Sequence, residues 1–108
     1  MQVLNSLTVS IGRNIGADQE LGAGDWYLFR RQIKSAIERA GGYIVANTTG
    51  RGVYDGIEEE SGVFIALNVD KIEQLKEDIS RILPQYKQEA AGFGLDLMPD
   101  LITAGARV

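Results

Sequence analysis

Near the start of the chain, apolar and polar side chains alternate. Val3, Leu7, Val9 and Ile11 fall on one face of an extended segment, and Ser6, Thr8 and Ser10 on the other. A period of two with β-branched residues predicts a half-buried strand. Gly12-Arg13-Asn14 ends it, and a polar loop with Gly16 and Asp18 follows. The period then changes. Trp26, Phe29, Ile33, Ala36, Ile37 and Ala40 recur at spacings of three and four, the single apolar stripe of an amphipathic helix. With Gly22 as N-cap, Asp25 stands at N3, where a carboxylate meets free backbone N–H groups and the positive end of the helix. Leu21 and Trp26 then occupy the two positions of a hydrophobic staple. Gly41-Gly42 predicts a left-handed glycine stop.

Asp55-Gly56 is a strong two-residue hairpin turn, because both positions tolerate positive φ. Strict pairing outward from it sets Tyr54 opposite Ile57, Arg51 opposite Glu60, Thr48 opposite Val63, Ala46 opposite Ile65 and Ile44 opposite Leu67. The last three pairs gather apolar side chains on one face, which the choice of turn did not require. A second helix is predicted from about Lys71 to Leu83. Asp70 would be its N-cap with Glu73 at N3, Ile72, Leu75, Ile79 and Ile82 its stripe, and Pro84 its stop. A last strand is predicted over 88–95, with Ala91, Phe93 and Leu95 on one face and Gly92 and Gly94 on the other, where glycine marks a bulge or close contact.

The order strand, helix, hairpin, helix, strand predicts an α+β domain of ferredoxin-like βαββαβ layout over 1–97, an antiparallel sheet with two helices on one face. The remaining 98–108 form a C-terminal tail with Pro99 and an apolar patch at Leu101-Ile102.

The expected register leaves a second hairpin face of Tyr43, Val45, Asn47, Thr49 and Arg51 against Asn68, Ala66, Phe64, Gly62 and Glu60. A face left to water should be mostly polar, and this one is not. Two covers fit it. One is a second copy of the chain or the tail, since small domains commonly form symmetric dimers. The other is a small-molecule ligand, held by Asn47, Thr49 and Arg51 between walls of Tyr43 and Phe64. The two are compatible, because subunit interfaces often frame pockets.

Composition narrows the chemistry. The chain has 108 residues, 44% apolar and 24% charged, enough for one core without disulfides or a structural metal. It has no cysteine and no histidine. Thiol nucleophiles, a Ser-His-Asp triad and His- or Cys-ligated zinc are excluded. The net charge of −4 gives no basic footprint for nucleic acid. No apolar run approaches the roughly 18 residues of a membrane span, and the N-terminal segment lacks the pattern of a signal peptide. The expectation is a cytoplasmic protein with no cofactor and no metal.

Arg51 to Ser61, RGVYDGIEEES, is the densest polar stretch. Glu58, Glu59 and Glu60 are adjacent on a strand and alternate in direction, so they do not converge on a cation and read as a solvated hairpin tip. Arg51 and Glu60 are expected to pair across strands, worth ~0.2–1 kcal/mol. Arg13 and Asn14 at a strand end can hold an anion. Gly50-Arg51-Gly52 lacks the P-loop and GxGxxG patterns. Arg30 and Arg31 read as surface charges, and Tyr54, Tyr86 and Gln88 as donors with structural roles. Acid–base chemistry would have to use carboxylates, Tyr or Lys, and spacing singles out no pair.

The segments IGRN, LGAGDWYLF, GRGVYDG with EEESGVFIALN, and YKQEAAGF resemble a family of small uncharacterised bacterial and phage proteins over about residues 7–95. The resemblance implies the ferredoxin-like layout and no established activity. Its phage association implies a counter-defence role such as sequestering a signalling nucleotide. The expectation is a non-catalytic, oligomeric module binding a small anionic or nucleotide ligand. The alternatives are a cofactor-free enzyme of the dimeric α+β-barrel type and a structural subunit.

Overall fold

The computed structural model describes residues 5–16, 18–54 and 56–97. Strand β1 (Asn5–Gly12) leads through a small hairpin of β2 (Asn14–Gly16) and β3 (Gln19–Glu20) into helix α1 (Ala23–Arg39). The long hairpin of β4 (Tyr43–Tyr54) and β5 (Ile57–Leu67) follows, then helix α2 (Ile72–Ile82) and strand β6 (Gly92–Leu97). The main sheet is antiparallel with order β4-β5-β1-β6. It is an α+β fold in the βαββαβ order expected from the sequence.

The core lies between this sheet and both helices. Leu7, Val9 and Ile11 of β1 bury their side chains against Phe29, Ile33 and Ile37 of α1 and Leu75, Ile79 and Ile82 of α2. Each such residue removed from water contributes about 1.5–3 kcal/mol. Leu21 and Trp26 are both buried where the staple requires, and Asp25 lies in the first turn. Gly41 has φ +90°, and its N–H bonds to the Glu38 carbonyl while that of Gly42 bonds to Ile37. That is the glycine stop expected at the end of α1.

Several boundaries differ from expectation. The loop after β1 is in part a β-hairpin, because the Asn14–Glu20 and Gly16–Gln19 pairs close around it. Lys71, not Asp70, is the N-cap of α2, and no side chain caps it. Asp70 instead donates its backbone N–H to Ala40 and sets its carboxylate beside Gly41. Pro84 does not stop the chain's winding; it sits in the first turn of a 3-10 segment, Leu83–Tyr86. This is where proline's missing N–H costs nothing. Strand β6 starts at Gly92 rather than Gln88.

The hairpin register agrees with expectation from Tyr54–Ile57 through Arg51–Glu60 to Ala46–Ile65. Gly56 has φ +74°; Asp55 lies outside the described residues, as do Val3 and the tail over 98–108. Between Ile44 and Ala46 the register shifts, so Ile44 pairs with Ala66 and Tyr43 with Leu67. Val45 is the extra residue of a bulge. Ile44 does not face Leu67.

The two faces of the hairpin are the reverse of the expected ones. Phe64 and Ala66 are fully buried in the core with the helices, and Gly62 lies beneath Trp26 and Arg30. By alternation, Val63, Ile65, Leu67, Ala46 and Tyr43 point to the open side. Pairing of β5 with β1 decides this, since Phe64 is opposite Val9 and Ala66 opposite Leu7. That pairing spans only Ser61–Leu67, so the 50–60 part of the hairpin runs on past the sheet as a two-stranded arm.

Candidate functional site

Two arginines and several glutamates converge at the root of this arm. Arg13, just past β1, donates Nε to the Leu21 carbonyl at 2.6 Å and Nη1 to Glu60 Oε1 at 2.8 Å. Trp26, one turn into α1, donates its indole N–H to Glu60 Oε2 at 3.0 Å. Both oxygens of one carboxylate are therefore engaged, one by each element that flanks the arm. Arg51, across the hairpin, donates Nε to Glu58 at 2.8 Å and stands 3.9 Å from Glu60. Glu20 approaches Arg13 at 3.9 Å.

Glu59 points the other way, as its strand position requires. Its carboxylate lies over Gly12 and accepts the backbone N–H of Asn14 at 2.9 Å. A Cβ at Gly12 would come within 2.3 Å of Glu59 Oε2, so glycine is what lets that carboxylate reach the backbone. Asn14 also donates its amide to the Glu58 carbonyl. The arm is thus fastened to the end of β1 on both of its faces.

The electrostatics follow from these contacts. The hydrogen bond from Arg13 holds the Glu60 carboxyl below the usual carboxylate range; partial burial opposes this, and Trp26 and Arg51 reinforce it. The Arg51 guanidinium is pushed above its ordinary value, chiefly by its hydrogen bond to Glu58. Glu60 is an anion across the physiological range.

The structure brings together only part of the expected site. Arg13, Asn14 and Arg51 meet at the arm root, although 38 residues separate the outer two in sequence. Their guanidinium groups are paired with Glu60 and Glu58, which leaves them poorly placed to hold an anionic ligand. Asn47 and Thr49 lie on the same face as Arg51, and Asn47 accepts a hydrogen bond from Arg30 Nη2 at 3.0 Å. Tyr43 is 71% exposed on the opposite, open side. Phe64 cannot line a pocket there, because it is fully buried under α1. The cause is the face reversal, which separates Tyr43 from Phe64 by the thickness of the sheet.

Three participants were not singled out for chemistry from the sequence. Glu60 belongs to the buried-side root rather than to a solvated tip. Trp26 is a core residue whose one polar atom points outward. Arg30 is not a free surface charge: it stacks over the Trp26 ring at 5.8 Å. The signal for Arg30 and Trp26 was their i, i+4 spacing on one helix face. Tyr86 and Gln88 are structural: Tyr86 stacks on Phe29 and accepts from Gln32, and Gln88 donates to the Asn14 carbonyl. Among the described residues no three acidic groups gather as a metal site would need, and no helix is long and apolar enough to cross a membrane.

Concave surface lies on either side of the root. A cleft of about 370 Å³ runs between α1 and the edge strand β4, lined by Tyr27, Arg30, Arg31, Lys34 and Asn47. Another, of about 320 Å³, is bounded by Asn14, Ile15 and Gln88. A larger groove of about 510 Å³ separates the two helices, but its buried Asp78 is satisfied by Arg81 and Gln74, with Arg39 at 3.8 Å. It is remote from the arm.

No protein-family model and no curated protein sequence matches the chain. Solved structures do. A phage SAM lyase in its apo state superposes with a TM-score of 0.59 at 19% identity, over 86% of this chain and 79% of that one. A phage SAM lyase in complex with S-methyl-5′-thioadenosine gives 0.50 at 15% identity, over 90% and 83%. An unknown protein from Galdieria sulphuraria gives 0.50 at 12% identity, over 89% of this chain but only 49% of that one. At these identities the likeness establishes a shared fold.

Proposed function

We propose that the chain binds a small sulfur-bearing nucleoside, S-adenosylmethionine or a relative of it, beside the root of the β4–β5 arm. The observation that carries this is the charge surplus there. Three carboxylates (Glu20, Glu58 and Glu60) lie beside two guanidiniums (Arg13 and Arg51), a net of −1, and Glu59 adds a further negative charge on the opposite face of the arm. With both guanidiniums already paired, the field at the root favours a cationic centre such as a sulfonium. Two structural neighbours are named SAM lyases, and one holds S-methyl-5′-thioadenosine, which supports the same ligand class. The reading replaces the anionic or nucleotide ligand that was expected with a nucleoside, and moves the anion-binding role away from Arg13 and Arg51.

On the side of the sheet opposite the root, we take a second copy of the chain to pack. The open sheet face supports this, since Val63, Ile65 and Leu67 run along it with exposed Tyr43 at its edge. Binding without turnover is the first reading, with sequestration of the nucleoside as its consequence. Cleavage is the second, favoured by the lyase names of the neighbours.

Calorimetric titration with S-adenosylmethionine and with S-methyl-5′-thioadenosine, followed by chromatography of the mixture, separates them. Binding of intact S-adenosylmethionine supports the first reading. Release of S-methyl-5′-thioadenosine that disappears in Glu60→Gln supports the second. Binding of neither compound overturns both.

A further inference from the structure

The cleft between α1 and β4 holds a cluster of cations that the arm root does not use. Tyr27, Arg30, Arg31 and Lys34 fall at i, i+3, i+4 and i+7 on α1, so all four line one side of it, and Asn47 of the edge strand lines the other. Among the described residues, none of the three cations lies within salt-bridge distance of a carboxylate. Lys71 and Lys87 are likewise without a salt bridge among the described residues, but only these three fall together on one cleft.

Arg30 is also fixed in place. Its guanidinium stacks over Trp26, one nitrogen bonds Asn47, and Nε is buried without a partner against Gly62. An oriented guanidinium, flanked by a second arginine and a lysine, is the arrangement that recognises an oxyanion. Arg31 and Lys34 are exposed and free to close over it.

We propose that this cleft is an oxyanion subsite, taking the carboxylate or phosphate group of a small ligand through Arg30, Arg31 and Lys34. It rests on the cleft's own charges, not on the identity of the nucleoside at the arm root. The two sites adjoin, because Trp26 contacts both Glu60 and Arg30. A ligand bearing a cationic and an anionic group could therefore span them.

The test uses paired probes that differ in the anionic group. These are AMP against adenosine, and S-adenosylmethionine against its decarboxylated form, which keeps the sulfonium and the amine, with pyrophosphate as a bare oxyanion. Affinities are measured by calorimetry for the unaltered chain and for the double variant Arg31→Ala with Lys34→Ala. Both positions are exposed, so the fold should be kept, which the melting temperature checks; Arg31→Gln serves as a milder second variant.

The expected result is an advantage of about tenfold for the anion-bearing member of at least one pair, erased in the double variant and reduced by added salt. A preference for AMP marks a phosphate as the natural group; a preference confined to S-adenosylmethionine marks a carboxylate. If pyrophosphate binds in a manner lost in the double variant while no nucleoside binds, the subsite stands and the proposed function falls. If no probe's affinity depends on Arg31 and Lys34, the subsite is overturned, whatever binds at the root.

Discussion

Trp26 and Glu60, 34 residues apart in sequence, are joined by a 3.0 Å hydrogen bond from the indole N–H to the carboxylate. The bond ties the first helix to the base of the hairpin arm. The other oxygen of Glu60 takes Arg13, so one side chain locks three segments. Replacing it by alanine leaves a largely buried indole N–H and a half-buried guanidinium without their acceptor. Glu60→Ala is expected to lower the melting temperature more than Glu60→Gln, whose amide oxygen can still accept one of the two bonds. Emission of the single tryptophan should report the change around Trp26 in both. Equal melting temperatures for the two variants and the parent would show that the network carries no stability.

The same residue sets a pH dependence. The Glu60 carboxyl lies below its ordinary value of 4.5 in the folded chain. Its contribution to stability is therefore complete above about pH 4.5, and it is lost as pH falls through the lower folded value. The urea midpoint of the parent chain minus that of Glu60→Gln should be constant at neutral pH and shrink toward pH 3. A difference that holds unchanged to pH 3 would mean Glu60 is not favoured as the anion in the fold.

Phe64 is a core residue packed beneath α1, with no exposed surface. Phe64→Ala should cost about 3–5 kcal/mol in denaturant unfolding, the usual penalty for emptying a phenylalanine site. Had it stood on the open face as a pocket wall, the cost would be within about 0.5 kcal/mol.

How far the sequence carried is best seen on this hairpin. Turn chemistry at Asp55-Gly56 and period-two alternation gave the register correctly for most of its length, because both are local. They could not say which face met the helices. Thr48 and Val63, Ala46 and Ile65 make an apolar set as good as Ala66 with Phe64, so pattern alone left the two faces nearly equivalent. The choice was made by β1, whose Leu7 and Val9 pair with Ala66 and Phe64 in a contact more than fifty residues distant. The site shows the same division. Arg13, Asn14 and Arg51 were legible as polar groups in loops and strand ends. That Glu58 and Glu60 would neutralise them depended on where the arm crosses the end of β1.

The open face makes a prediction about assembly. Ile65 sits at its centre, opposite Ala46 and beside Val63 and Leu67. If a second copy covers this strip, the chain elutes above monomer mass in light-scattering chromatography at micromolar concentration. Ile65→Glu should then return it to the monomer while leaving its helical circular dichroism intact, since the side chain lies outside the helix-packed core. A parent chain that is already monomeric would remove the proposed second copy.

The bulge at Val45 offers a test of the register itself. Up to Ala46 the hairpin follows strict two-residue pairing, under which Ile44 would face Leu67 on the open side. The extra residue turns Ile44 back by one position, so that it pairs with Ala66 and packs against the core. It also turns Tyr43 outward, opposite Leu67. Deleting Val45 sets Ile44 directly next to Ala46, so regular alternation keeps Ile44 opposite Ala66 on the core side and Tyr43 opposite Leu67. A single-residue deletion at an edge strand is ordinarily mild. Here too it should cost less than about 2 kcal/mol in urea unfolding, short of the loss of a buried isoleucine, because Ile44 keeps the core side. Val45→Ala, which keeps the bulge and trims a half-exposed side chain, should cost less than about 1 kcal/mol. A deletion as costly as emptying a buried isoleucine site, about 2–5 kcal/mol, would mean that Ile44 loses the core side and that Val45 is not the extra residue.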